Sequence, residues 1–252
     1  MTKGMKRISL GFTSCYVLPC KEGYLLADTG PERAYRKFRK ALRKSGIDYE
    51  NIRYLLLTHH HDDHAGFAAR VADETGCVII AHQEGVRGLK AGRTENTMKP
   101  LSGLIKIGFS FFRFLQGNPD YPSLDLSDES GFMEGRKRLI SGDDDLLLNE
   151  IGVKGRILHT PGHTGDSISI LMENGDLIAG DVVMNLMKSE RLRYHPIYAE
   201  DLAQLYDSWR KIIDQGVQMI YPSHGKPFPA SLLLESRYER RDDLFFPGNY
   251  TS

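Results

Sequence analysis

Apolar and polar positions along this chain follow two periods. "SCYVLP" and "EGYLLADTG" are short β-rich runs parted by a polar turn at 21–23, and they predict two strands. After "DTGPE" the period lengthens. Ala34, Phe38, Ala41 and Leu42 fall on one helical face, and Gly46 ends the helix. Thr29 is the expected N-cap, and Pro31 suits the first turn. Seven basic residues between positions 33 and 44 are its expected solvated side.

"IRYLLLT" (52–58) reads as a buried strand, followed by a short helix over about 64–74 and the strand "CVIIAH". Residues 83 to about 137 are less regular. Within them 101–115 is strongly apolar, too short to span a bilayer, and interrupted by Lys106 and Arg113. It is expected to pack on the body of the protein or in a dimer contact, with a greasy lid over a substrate pocket, and then membrane-surface contact, as the alternatives. "RILHT", "SISILM" and "DLIAGDVV" are further short strands. Residues 199–216 predict an amphipathic helix with Leu202, Leu205, Trp209, Ile212 and Ile213 on one face. "QMIYPSHG" is a last buried strand. A β-rich stretch followed by an α/β stretch thus occurs twice. This suits an α/β layered sandwich with sheets inside and helices outside. No Pro/Gly linker divides the halves, so 1–252 is expected to be one domain with a variable, partly apolar insertion at about 83–137.

Composition narrows the class. The chain is 40% hydrophobic and 26% charged, as in a soluble globular protein. Its 33 basic and 33 acidic residues cancel, which argues against a broad electrostatic grip on nucleic acid. Cys15, Cys20 and Cys77 lack C-x-x-C spacing and are expected to be free thiols in a reducing compartment. The first twenty residues lack the apolar run of a secretory signal. A cytoplasmic protein acting on a small molecule is expected, with room for a homodimer.

The candidate chemistry lies in "THHHDDHAG", 58–66, which holds four histidines and two aspartates. It falls between a strand's C-terminal end and a helix, where α/β proteins place ligands. Imidazole and carboxylate donors suit a borderline cation such as zinc. His59 and His61, two apart, point the same way on an extended stretch. Asp63 and His64 stand at the turn into the helix. His163, Asp181 and His224 each follow a later strand beside glycine. Taken singly, each suits equally well a satisfied polar residue or a turn aspartate.

"HHHDDH" is similar to the H-x-H-x-D-H motif of the metallo-β-lactamase superfamily, read as His59 to His64. Asp28 of "LLADTG", His163, Asp181 and His224 resemble the other family signatures in order, over about residues 8 to 230. The resemblance implies a four-layer αβ/βα sandwich and a dinuclear centre. One ion would take His59, His61 and His163. The other would take Asp63, His64 and His224, with Asp181 between the two. Asp28 would orient the ligand loop by hydrogen bonds; its alternative role is to cap the following helix. His60 and Asp62 stand at the motif's variable positions. Zinc is the expected ion, and such sites also accept iron or manganese. A hydroxide between two divalent ions would attack a small ester, lactone or thioester, with Asp63 as the catalytic carboxylate. The alternatives are a phosphodiesterase or nuclease of the same superfamily, or a metal-bound sensor with little turnover.

The departures from the family's branches also inform. True β-lactamases of this fold resemble the pattern but carry Cys or Ser where this chain has Asp181. The diiron oxygen- and nitric-oxide-reducing relatives carry Glu in place of His61, and a flavin domain. Glyoxalase II enzymes share the seven ligands but add a helical region that binds glutathione, whereas 28 residues follow His224 here. N-acyl homoserine lactonases are similar in size and ligands, but place Tyr where this chain has Met184. Tyr194 or His195, in the 184–198 loop, are the expected substitute donors to substrate. The ligand set thus resembles the glyoxalase II and lactonase-like branch.

Overall fold

Consecutive residues of the central strands belong to different cores, and this divides the chain into layers. The computed structural model describes residues 2–94, 99–100, 120–127, 135–187 and 193–233. Its first sheet runs, in spatial order, β1 (Lys6–Ser9), β2 (Ser14–Cys20), β3 (Gly23–Ala27), β4 (Ile52–Leu56), β5 (Val78–His82) and β7 (Lys137–Ile140). β3, β4, β5 and β7 are mutually parallel. The second sheet runs β13 (Phe228–Pro229), β12 (Met219–Pro222), β10 (Asp176–Gly180), β9 (Ile168–Met172) and β8 (Gly155–His159). A two-residue pairing joins β6 (Lys99–Pro100) to β11 (Tyr198–Ala199).

Side chains alternate across each sheet. Leu25 and Ala27 enter the core between the sheets, while Leu26 faces outward. Ile80 faces inward, and Ile79 and Ala81 outward. In the second sheet Ile168, Ile170 and Ile178 face the first sheet, while Leu171, Leu177 and Ala179 face away. A period-two strand can be apolar throughout only when both faces are covered. Helices supply the covers. Over the first sheet lie α1 (Tyr35–Lys44) and α3 (Ala68–Thr75), with Phe38, Leu42 and Val71 buried. Over the second lies α6 (Leu202–Asp214), with Leu205, Trp209 and Ile212 buried. The result is the expected αβ/βα sandwich of four layers.

Several local expectations are corrected. Thr29 does not cap α1. Its hydroxyl donates to the His64 carbonyl at 2.7 Å, and the helix begins after Pro31 through a 3₁₀ turn, Glu32–Ala34. The helix expected over 64–74 is two pieces, α2 (Asp62–Ala65) and α3. The break falls at Gly66, where an added Cβ would lie 2.5 Å from the Gly30 carbonyl oxygen. The backbone after β3 thus passes too close for a continuous turn with side chains. Leu202, expected on the buried face of α6, is 41% exposed. It lies in the first turn, directly after Asp201, whose carboxylate caps the helix by accepting from the Ala203 and Gln204 amides. Within the irregular stretch, α4 (Val86–Ala91) follows β5; α5 (Leu147–Glu150) precedes β8. The apolar segment 101–115 lies outside the described residues. Cys15, Cys20 and Cys77 are free thiols. Among the described residues no helix is long and apolar enough to cross a membrane.

Phe38 is fully buried between α1 and the first sheet, with its ring 5.0 Å from Phe67. Phe38→Ala is expected to cost about 3–5 kcal/mol of folding stability through lost burial and a cavity. Urea unfolding at constant metal content checks this; a loss under about 1 kcal/mol would show that this layer collapses onto the gap.

Candidate metal centre

Every residue of the cluster sits at the C-terminal end of a strand. Asp28 follows β3, the 59–64 loop follows β4, His163 follows β8, Asp181 follows β10 and His224 follows β12. The two sheets therefore deliver their strand ends to one place. Gly180 makes the approach possible. Its φ is +58°, and a Cβ there would lie 2.7 Å from the Thr58 hydroxyl.

His59 Nε2 lies 3.0 Å from His61 Nδ1, which lies 3.1 Å from His163 Nε2. Asp63, His64 and His224 form the second group: His224 Nε2 is 3.1 Å from Asp63 Oδ2, and His64 Nε2 is 3.6 Å from Asp63 Oδ1. Asp181 stands between the groups. Its Oδ2 lies 3.3 Å from His64 Nε2, 3.3 Å from His224 Nε2, 3.6 Å from His163 Nε2 and 4.0 Å from His59 Nε2. These seven residues make up the three His/Asp groups found among the described residues whose donor atoms could hold a metal ion.

Four of the five rings are turned by the bond that their other nitrogen makes. His64 Nδ1 donates to Asp28 Oδ2 at 2.9 Å, His163 Nδ1 to the Tyr198 carbonyl at 2.8 Å, and His224 Nδ1 to the Phe12 carbonyl at 3.0 Å. His59 Nδ1 lies 3.1 Å from the Thr58 hydroxyl. Such partners fix tautomer and orientation in metal-ligating imidazoles. Asp28 is itself tied down, accepting from the Thr58 amide at 2.7 Å and the Thr58 hydroxyl at 2.8 Å. Its backbone is left-handed, with φ +61°.

Electrostatics separates the two groups. Burial, with the neighbouring imidazoles, holds His59 and His61 well below the usual histidine range; burial also lowers His163. These rings are neutral, with lone pairs free, as ligands must be. Burial opposes charge on His64 and His224 too. There the carboxylates of Asp181 and Asp63 outweigh it, and both rings are raised, His224 to about 10. Burial likewise opposes the Asp181 carboxylate, but His224 and His64 hold it well below the carboxylate range. His64 Nε2 and Asp181 Oδ1 are buried without a hydrogen-bond partner. Buried orphan atoms are costly. Converging imidazoles and carboxylates are the donor types that fit a borderline divalent cation, which on binding would displace the protons favoured on His64 and His224.

The remaining candidates take other places. His60 Nδ1 lies 2.9 Å from Asp166 Oδ1, and its carbonyl accepts from the Tyr121 hydroxyl. It pins the loop from outside the cluster. Asp62 Oδ1 accepts from the Thr94 hydroxyl at 2.8 Å. Tyr194 and His195, expected near substrate, are buried in packing. Tyr194 stacks on Phe228 with centroids 4.1 Å apart, and His195 Nε2 lies 3.0 Å from the Tyr206 hydroxyl with its ring against Trp209. Sequence reasoning missed Thr58, Phe12, Tyr198 and the His60–Asp166 pair. Thr58, as the residue opening the histidine loop, was visible; the carbonyls of Phe12 and Tyr198 carry no side-chain signal.

The chain belongs to the metallo-beta-lactamase superfamily: the family model matches residues 8–224. It is 26% identical to a probable metallo-hydrolase of Methanocaldococcus jannaschii, over 88% of this chain and 92% of that one. It is 22% identical to a probable metallo-hydrolase of Bacillus subtilis, over 86% and 68%. It is 24% identical to a beta-lactamase-like protein 2 homologue of Drosophila melanogaster, matching 86% of this chain but only 60% of the fly protein's length. An archaeal superfamily protein from Sulfolobus tokodaii superposes with a TM-score of 0.65 at 18% identity, covering 100% of this chain and 91% of that one. A subclass B3 metallo-beta-lactamase of Bradyrhizobium japonicum superposes with 0.62 at 19%, over 95% and 89%. At these identities the superpositions establish the fold.

Asp28→Asn keeps the shape and suits the left-handed backbone equally well, but it removes the charge and turns one of the two accepting oxygens into an NH2 donor. It is expected to weaken zinc retention by about 10–100-fold through the loosened His64 ring. Competition with a chromophoric chelator measures this; unaltered affinity would assign Asp28 to the fold alone.

Proposed function

We propose that this metallo-hydrolase works with two divalent ions, zinc by expectation, on a small ester, lactone or thioester. His59, His61 and His163 would hold one ion, and Asp63, His64 and His224 the other. The observation that carries the reading is the position of Asp181 Oδ2, within 4.0 Å of imidazole nitrogens from both groups. One carboxylate serving both groups is what a paired site needs. When bound, two such ions lower the pKa of a shared water toward 7 and polarise an acyl oxygen.

The protein's own groups divide the remaining work. Six of the seven side chains are almost fully buried, so bulk water is kept from the centre. Asp63 is the exception, with its side chain 22% exposed. Its Oδ2 faces His224, and its Oδ1 is the more loosely held oxygen. Asp63 is therefore the group placed to take the proton of the attacking water and return it to the leaving oxygen or sulfur. The acyl–oxygen or acyl–sulfur bond breaks, and an acid and an alcohol or thiol are released, or, from a lactone, a single hydroxy acid. Asp28 and the Phe12 and Tyr198 carbonyls hold the rings in place meanwhile.

Two measurements test this. Asp181→Ala is expected to lose both ions, because one carboxylate serves two groups, whereas His60→Ala keeps most of its metal while losing stability through the unpaired Asp166. Elemental analysis compares them; equal metal loss would refute the assignment. A panel of p-nitrophenyl acetate, acyl lactones, S-lactoylglutathione and bis-p-nitrophenyl phosphate then reads the substrate class. Turnover of the phosphodiester alone would replace the reading with a phosphodiesterase, and a ligand bound with both ions present but not hydrolysed would replace it with a sensor.

A further inference from the structure

Beside Asp63, the most exposed of the seven cluster side chains, lies a cavity of about 230 Å³. The turn between β1 and β2 forms one wall, through Leu10, Phe12 and Thr13. The 3₁₀ turn before α1 and the first turn of α1 form another, through Arg33 and Lys37. Positions 33 and 37 are four apart, so the turn running into the helix carries both to one side. They flank the buried stripe of Ala34, Phe38 and Leu42. On the other flank, Arg39 is spent on Glu50 and Glu74. Lys37 has no ion pair or hydrogen bond among the described residues, and Asp63 lies beyond ion-pair distance of it. Its ammonium nevertheless reaches in over the turn: a Cβ at Gly11, whose φ is +111°, would lie 3.4 Å from Lys37 Nζ.

Thr13 adds a second, independent observation. It is 3% exposed, and its hydroxyl has no hydrogen-bond partner. A buried hydroxyl left unsatisfied costs about 1–3 kcal/mol, so a ligand oxygen is a fitting partner. A cation and the residue that carries the spare hydroxyl thus stand in the wall of a cavity that also touches the proposed catalytic carboxylate. Asp63 by itself repels anions. Lys37 and Arg33 bring positive charge to the same cavity.

We propose that this cavity is an anion subsite, and that the hydrolysed substrate carries a carboxylate or phosphate group held by Lys37 with Arg33 and Thr13. The inference deepens the hydrolase reading and rests on it. The volume suits a compact charged group rather than a long chain, and Leu10 and Phe12 take the methylenes that link it to the scissile bond.

The test uses the zinc-loaded full chain and two esters that differ only at the far end, mono-p-nitrophenyl succinate and p-nitrophenyl butyrate. Wild type is expected to favour the succinate. In Lys37→Met the succinate-to-butyrate ratio of kcat/KM is expected to fall about tenfold, carried by KM, with Lys37→Arg restoring part of it and Thr13→Val moving it the same way. Lys40→Met, on the same helix but lining a separate groove, is expected to keep the wild-type ratio. Calorimetry with succinate, and separately with inorganic phosphate, gives the same comparison without turnover and shows which anion the subsite prefers. A ratio unaltered in Lys37→Met, or lowered equally in Lys40→Met, overturns the subsite. If neither ester is cleaved, the ester reading fails, and equal anion affinities in wild type and Lys37→Met still overturn the subsite.

Discussion

The centre depends on one buried carboxylate, Asp28, held in a backbone conformation that few non-glycine residues adopt. It contacts three separate segments. The Thr58 amide and hydroxyl come from the loop after β4, the His64 ring from α2, and the Ser223 hydroxyl, at 3.4 Å, from the loop after β12 in the other sheet. Burying a charge and bending its backbone to the left both cost stability. Charge-assisted bonds offset that cost, and they do so only when all three segments are in place. Asp28 therefore couples sheet-on-sheet packing to the direction of a ligand ring.

With that pin set, the rest of the centre follows from strand ends. Parallel neighbours in the first sheet end together, and so do β8, β10 and β12 in the second, because β8 and β10 both run opposite to β9. Convergence alone would bring five imidazoles into mutual desolvation. The arrangement is tolerable because the two groups take different charge states. Burial keeps His59, His61 and His163 neutral, while the carboxylates of Asp181 and Asp63 favour the protonated form of His64 and His224. Asp181 Oδ2 is the point where the groups meet.

Much of this was legible in the residues. Strands buried on both faces read as continuous apolar runs, so "IRYLLLT", "CVIIAH" and "SISILM" announced a sandwich before any coordinates. The seven ligand-type residues stood out because imidazole and carboxylate recur at strand ends beside glycine. What escaped has two physical causes. Thr29 has the side chain of an N-cap, but tertiary contact with His64 took its hydroxyl, and Gly66 broke the next helix because another backbone needed the space. Neither competition is local. The Phe12 and Tyr198 carbonyls are backbone groups, identical at every position, so only the folded chain shows which two are recruited. Tyr194 and His195 have the right functional groups in a loop of the right place, yet α6 and Phe228 draw both rings into packing.

Phe12 shows how hydrolytic chemistry and substrate choice can be joined in one turn. Its carbonyl fixes His224, while its ring, 4.4 Å from the His224 ring, lines the cavity beside Asp63. The ligands themselves are closed off by burial and by outer partners, so variation there would damage the centre before it changed selectivity. The open wall is different. It is built from a short turn and the exposed edge of α1, where a residue can change with little cost to either sheet. Selectivity is then expected to reside in groups such as Lys37 and Thr13, which touch the cavity and contribute no donor atom to the cluster. Arg39 serves the fold through Glu50 and Glu74, and the charge of Lys37 is left for whatever enters beside Asp63.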